Sequence, residues 1–206
     1  MGPGGVIRVI TETEWIQQAR SGDHVAFGRL VQAYQTPVYN LTYRMLGNAA
    51  EAEEAAQEAF LRAYTHLRSY DPQRPFRSWL MAIASHYCID QLRRRRLTWL
   101  SFEDEIAVPE NPVEGGLVQL ASDLPNPESV VTQQERAVQI QTLLSTLSPV
   151  DRAAVTLLYW YDYSYEEIAE TLDLTVSAVK SRLYRARRDL AKLLEEDGEN
   201  GLQTSD

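Results

Sequence analysis

Apolar residues recur at three- and four-residue spacings along most of the 206-residue chain, punctuated by Gly, Pro and Asn, and strictly alternating runs are scarce. The pattern predicts an all-α protein. A first helix spans 12–20 and stops at Gly22. Asp23 caps a second, which places Ala26, Phe27, Leu30, Val31 and Tyr34 on one face. Pro37 is expected to open a third helix, with Val38, Leu41, Thr42 and Met45 inward and Gly47 at its end. Asn48 and Glu51 have the spacing of a cap for a long helix whose stripe is Ala52, Ala55, Ala56, Ala59, Phe60, Ala63 and Leu67. Residues 70–75 form a loop. A helix over 76–92 then offers Trp79, Leu80, Ile83, Tyr87 and Leu92 to a core and ends in the run Arg93, Arg94, Arg95, Arg96.

Between 97 and 126 the periodicity fades and Pro109, Pro112, Gly115, Gly116 and Pro125 appear, the signature of a linker. Asn126 and Pro127 then read as the cap and first residue of a helix reaching about 147, and Ser148-Pro149 repeats the signal for the next. Two small helical domains are therefore expected, over 11–96 and 127–195. They are flanked by a flexible start (1–10) and a frayed end (196–206).

The stretch SYEEIAETLDLTVSAVKSRLYRARRDL, 164–190, fits two helices joined by a tight turn. Ser164 with Glu167 makes a capping box, and Thr175 caps the second helix. Ile168, Ala169 and Leu172 face Val176, Val179, Leu183, Ala186 and Leu190. Asp173, in the turn, must adopt a left-handed backbone. That leaves Ser177, Lys180, Ser181, Tyr184, Arg185 and Arg188 pointing outward, a hydrogen-bonding, aromatic and cationic face suited to base edges and phosphates in a major groove.

A net charge of −9 would argue against a nucleic-acid ligand if it were spread evenly. It is not: 99–135 contains no Lys or Arg, whereas basic residues gather at Arg93 to Arg96 and from Lys180 to Lys192. A single Cys88 excludes an intrachain disulfide and reads as a small core residue. No apolar run has bilayer-spanning length and the opening is too short for a signal peptide, so a cytoplasmic location is expected.

Glu51, Glu54, Gln57 and Glu58 share the polar side of the helix that Asn48 caps, as a solvated surface or a docking face for a basic partner. A carboxylate metal bundle would need Glu-x-x-His pairs, and none of His24, His66 or His86 has a Glu three residues before it. Phosphate-loop, HExxH and GxSxG patterns are absent too, so no enzyme, metal or cofactor is expected. From Tyr70 to Arg96, aromatics lie beside cations, as a single-stranded base requires, although aromatics on an amphipathic helix also build cores.

Three stretches, 51–64 (EAEEAAQEAFLRAY), 76–96 (FRSWLMAIASHYCIDQLRRRR) and 147–190, together resemble bacterial sigma factors of the extracytoplasmic-function (ECF) group, sigma-70 family. The resemblance implies a two-domain specificity subunit whose partners are core RNA polymerase and promoter DNA, with an anti-sigma protein as a further candidate. It implies polymerase docking at Glu51, Glu54, Gln57 and Glu58. It places −10 recognition and melting at Tyr70, Arg74, Phe76, Arg77, His86, Arg93 and Arg94, and −35 reading at Ser177, Lys180, Ser181, Tyr184, Arg185 and Arg188. Ser85-His86 stands where the family usually has Arg and Asn, and Ser177-Ala178 where it has Gly-Thr, so no promoter sequence is carried over. An autonomous helix-turn-helix regulator is the alternative, in which 76–96 has no obvious task. In the sigma reading the two elements lie ~50 Å apart at ~34 Å per duplex turn, within reach of a linker of about thirty residues.

Overall fold

The computed structural model describes residues 11–102 and 127–203, which contain no strand. The helices are α1 (Glu12–Arg20), α2 (His24–Leu46), α3 (Ala49–His66), α4 (Phe76–Phe102), α5 (Pro127–Thr146), α6 (Pro149–Tyr161), α7 (Tyr165–Thr171) and α8 (Val176–Gln203). The first four form an N-terminal bundle and the last four a C-terminal one. Local chemistry sets the helix starts. Asp23 accepts from the Val25 and Ala26 N–H groups at 2.8 and 3.2 Å, Asn48 from Glu51 at 3.1 Å, and Thr11, outside the sequence expectations, forms a capping box with Glu14. Gly47 ends α2 with φ of 77°, where a side chain would be strained; a Cβ there would also stand 2.9 Å from Gln141.

Three expectations are corrected. Pro37 does not start a helix but lies inside α2, although it has no N–H to offer the Ala33 carbonyl. Ala26 and Leu30 on one side of it, and Val38, Leu41 and Met45 on the other, are all buried. Breaking the helix would turn part of that stripe to water at about 1.5–3 kcal/mol per large side chain, which outweighs the ~3 kcal/mol proline penalty. Second, α4 does not end in the arginine run at 93–96 but continues to Phe102; arginine favours helix and Arg95 is tied to Glu51 on α3. Third, α8 continues to Gln203 where fraying was expected, its Lys, Leu and Glu residues near 192–196 being strong helix formers. The flexible start (1–10), the linker over 103–126 and the last residues (204–206) lie outside the described residues.

Leu30, Leu41, Met45, Leu80 and Met81 fill the N-terminal core, and Leu157, Ile168, Val179 and Leu183 the C-terminal one. Cys88 is buried as expected, and burial pushes its thiol up to about 12. The two bundles are not apart. Helix α2 packs against α5 and α6, and α4 against α6 and α7. Across this seam Gln141 donates to the Tyr43 and Arg44 carbonyls at 3.3 and 3.2 Å, Arg152 to the Met45 carbonyl at 2.6 Å, and Tyr161 to the Pro37 carbonyl at 2.6 Å. The Arg44 guanidinium stands 4.9 Å from the Trp160 ring centre. On α4 and α6, Ser85 and Thr156 are wholly buried with hydroxyls that have no hydrogen-bond partner. Such groups cost free energy for as long as they stay buried.

Pro37→Ala restores one helical hydrogen bond and loses only the rigidity that proline lends the unfolded chain. It should stabilise the N-terminal bundle by about 2 kcal/mol, read from the urea midpoint at unchanged slope.

Candidate nucleic-acid interface

The two-helix element at the chain's C-terminal side is built by its own backbone. Ser164 accepts from the Glu167 N–H at 3.2 Å while Glu167 accepts from the Ser164 N–H at 2.8 Å, and Thr175 accepts from the Ala178 N–H at 3.1 Å. Between them Asp173 takes φ of 53°, the left-handed turn the sequence required, and the Leu174 N–H reaches the Ala169 carbonyl at 2.8 Å. Ile168, Ala169 and Leu172 are buried with Val179, Leu183 and Ala186.

That packing fixes what faces out. Ser177, Lys180, Ser181, Tyr184, Arg185 and Arg188 are all exposed, Tyr184 by 68%. Lys180, Ser181, Tyr184 and Arg185 line one open groove on the surface of α8. From Ser177 to Arg188 the face runs about 16 Å at 1.5 Å per residue, the length of four to five base steps at about 3.4 Å each. Arg188 lies 3.4 Å from Asp189, an exposed neighbour that leaves its guanidinium open to competition from phosphate.

The residues proposed for the other DNA element divide into two groups. Tyr70 and Phe76 are 4% and 3% exposed and pack with Tyr34 and Trp79, ring centres 5.0–5.6 Å apart. This corrects their reading as open faces for a base: they are core, and they set the loop's shape. Tyr70 donates to the Arg74 carbonyl and the Arg74 N–H to the Asp71 carbonyl, so the loop is held by its own ends. Arg74, Arg77 and His86 do reach outward, but toward the C-terminal bundle. Arg74 pairs with Glu170 at 2.9 Å, Arg77 lies 5.6 and 5.9 Å from the Tyr161 and Tyr163 ring centres, and His86 is 3.7 Å from Asp173. Arg93 and Arg94 are exposed on α4, Arg93 at 4.0 Å from Asp90.

On α3, Glu54 and Gln57 are exposed while Glu51 and Glu58 are half-buried by Arg95 and Arg62, the latter pair at 2.7 Å. Gln57 also borders an apolar groove of about 440 Å³ between α2 and α3, with Tyr39 and Phe60 on its walls. Sequence reasoning missed that groove. Tyr39 falls outside the stripe of α2, and an aromatic off the buried face was the available signal. Among the described residues no cluster of His, Cys, Asp and Glu fit to hold a metal ion exists, and no helix is long and apolar enough to cross a membrane.

The order of these parts matches known proteins. The sigma-70 region 2 family model covers residues 30–98 and the sigma-70 region 4 model residues 137–190. The ECF RNA polymerase sigma factor SigW of Bacillus subtilis (strain 168) is 38% identical over 182 residues, covering 87% of this chain and 94% of that protein. This chain belongs to the ECF sigma factors of the sigma-70 family. SigE of Mycolicibacterium smegmatis is 30% identical over 197 residues, 89% of this chain and 72% of its own. The solved structure of CnrH in complex with the cytosolic domain of CnrY superposes with a TM-score of 0.62 at 26% identity, covering 89% of this chain and 96% of that one. As an ECF sigma factor the chain is not an enzyme: it binds core RNA polymerase and recognises promoter elements. The N-terminal bundle carries region 2 and the C-terminal bundle region 4.

Hydrogen bonds from the Ser164 backbone and hydroxyl hold the Glu167 carboxyl below the usual carboxylate range. A depressed acid stabilises the fold above its unfolded value, near about 4.3, and loses that contribution as pH falls through the folded value. Glu167→Gln should therefore flatten the decline of melting temperature below about pH 5, relative to the parent chain.

Proposed function

We propose that this sigma factor docks on core polymerase through Glu51, Glu54, Gln57 and Glu58, reads the −35 element with the outer face of α8, and engages the −10 element with the 70–75 loop and the exposed cations of α4. The observation that carries the DNA half is the six-residue face of α8, exposed and cationic beside an inner stripe in which Val179, Leu183 and Ala186 are buried. Tyr70 and Phe76 serve the −10 element by shaping the loop, while Arg74, Arg77, His86, Arg93 and Arg94 meet the strand itself. The face of three glutamates and Gln57 is the natural complement of a basic docking surface, and Glu54 and Gln57 lie exposed on it.

Promoter engagement requires the bundles to part. With Arg74 against Glu170 and His86 beside Asp173, the −10 loop and the −35 helix pair touch, whereas the two promoter elements are ~50 Å apart. The packed arrangement is thus a resting state in which acidic residues of region 4 occupy the cations that would meet DNA. Polymerase, binding both bundles, draws them apart. CnrH, the relative of similar fold, is known in complex with the cytosolic part of CnrY, which supports an anti-sigma protein as a third partner, one that would hold the resting state.

Transcription in vitro with purified core enzyme on a genomic promoter library tests the whole reading; start-site choice unaltered by the chain would refute it. Within that assay Arg185→Ala should lower −35-dependent initiation about 5- to 100-fold, the range of one lost base or phosphate contact, at unchanged melting temperature. Glu170→Ala, which removes one exposed ion pair, should tighten binding to core polymerase, by no more than about fivefold.

A further inference from the structure

Arg152 of α6 is only 6% exposed, yet no acidic residue pairs with it among the described residues. One guanidinium nitrogen donates to the Met45 carbonyl at 2.6 Å, and Nε has no partner at all. Burial, and then the neighbouring charge of Arg95, push the guanidinium down to about 10, so the surroundings add positive charge to an already desolvated cation. A cleft of about 490 Å³ opens beside it, walled by Leu92 and Arg96 of α4 and by Leu147, Pro149 and Arg152 of the C-terminal bundle. Arg96 is exposed and makes no ion pair among the described residues.

The other charges nearby are already spent. Asp151 is 2.9 Å from Arg182 and accepts from the Ser148 hydroxyl at 2.6 Å, and Arg95 is tied to Glu51. The cleft therefore keeps two guanidinium groups with no carboxylate partner among the described residues. On its rim the Ser145 and Thr146 hydroxyls donate to the Thr142 and Leu143 carbonyls at 2.6 and 2.8 Å, so they offer lone pairs alone and can only accept. A ligand that fits is anionic at one end, carries hydroxyl donors, and has a flat or apolar part to lie on Leu92, Leu147 and Pro149. The volume falls in the range of small-molecule sites, about 300–1,000 Å³.

We propose that this cleft binds a phosphorylated small molecule of nucleotide size, its phosphates between Arg96 and Arg152 and its sugar hydroxyls on Ser145 and Thr146. Because the walls come from both bundles, the bound molecule joins them and favours the resting state. The inference rests on the reading that the bundles part to engage promoter DNA. A ligand of the packed state alone shifts that equilibrium in proportion to its binding.

The test uses the full chain with ATP, pyrophosphate and adenosine as probes. Fluorophores are attached through Leu61→Cys and Leu194→Cys, at positions 60% and 57% exposed, while Cys88, fully buried, stays unlabelled. In the urea concentration that just parts the bundles, ATP should bring the labels together and raise the melting temperature. Pyrophosphate should do so more weakly and adenosine not at all. Arg96→Gln, on an exposed position that leaves the fold intact, should weaken the ATP effect about tenfold, the loss of one charge-assisted contact. Labels that lie close without ligand but ignore ATP and pyrophosphate alike overturn the site and leave the resting state standing, as does an undiminished ATP response in Arg96→Gln. A label separation in plain buffer as wide as in the urea-parted chain, with or without ATP, overturns both readings.

Discussion

The last turn of any α-helix leaves carbonyl oxygens without partners along the chain, and at the end of α2 the other bundle supplies what is missing. Tyr43 receives the Gly47 N–H at 2.8 Å, and Gln141 bridges Tyr43 and Arg44. Arg152 closes the set on Met45, its positive charge set against the negative end of the helix dipole. The relation between the bundles depends on this capping. Water can serve the same acceptors, so separation strands few polar groups, while the apolar surfaces that separate belong to α2, α4, α5, α6 and α7. Caps and cation-π contacts give the seam its specific register, and the apolar cluster shared by both bundles lies behind them.

The 70–75 loop, by contrast, does not depend on the seam. Its shape comes from the aromatic cluster of Tyr34, Tyr70, Phe76 and Trp79 and from hydrogen bonds between its own ends. What the seam controls is the environment of its cations. Glu170 and Asp173 belong to α7 and the turn of the helix-turn-helix, so the same short segment that orients α8 also screens Arg74 and His86. The two DNA-facing surfaces are thus coupled through a few exposed charges as well as through the apolar cluster that runs from one bundle into the other. Each such pair is weak alone, and ionic strength weakens it further.

Much of this architecture is legible in local signals along the chain. The capping residues Asp23, Asn48, Ser148 and Ser164, the left-handed Asp173 and the outward face of α8 all follow from spacing within one or two turns, and each lies where spacing puts it. Pro37 misleads because its local meaning, a helix start, is overridden by the burial of Leu30 and Leu41 on either side. The burial of Tyr70 and Phe76 is not legible for a related reason: an aromatic beside arginines has one composition whether it stacks on a base or on Trp79. The seam leaves no periodic trace at all. Residues such as Gln141 and Arg152 stand about a hundred positions from the carbonyls they cap, and single long-range hydrogen bonds have no sequence period.

The seam also sets a scale for how tightly the sigma factor can be held in reserve. If polymerase binds only the parted form, its apparent affinity is the intrinsic affinity reduced by the fraction of chains that are parted. Four cross-seam hydrogen bonds at about 0.5–1.5 kcal/mol each hold the bundles together before apolar burial is added. The remaining apolar contribution then decides whether the parted form is common or rare, and every further 1.4 kcal/mol makes it about tenfold rarer. Differential binding energies on either side shift that balance. Polymerase and an inhibitory partner can therefore compete for the chain through its shape as well as through shared surface.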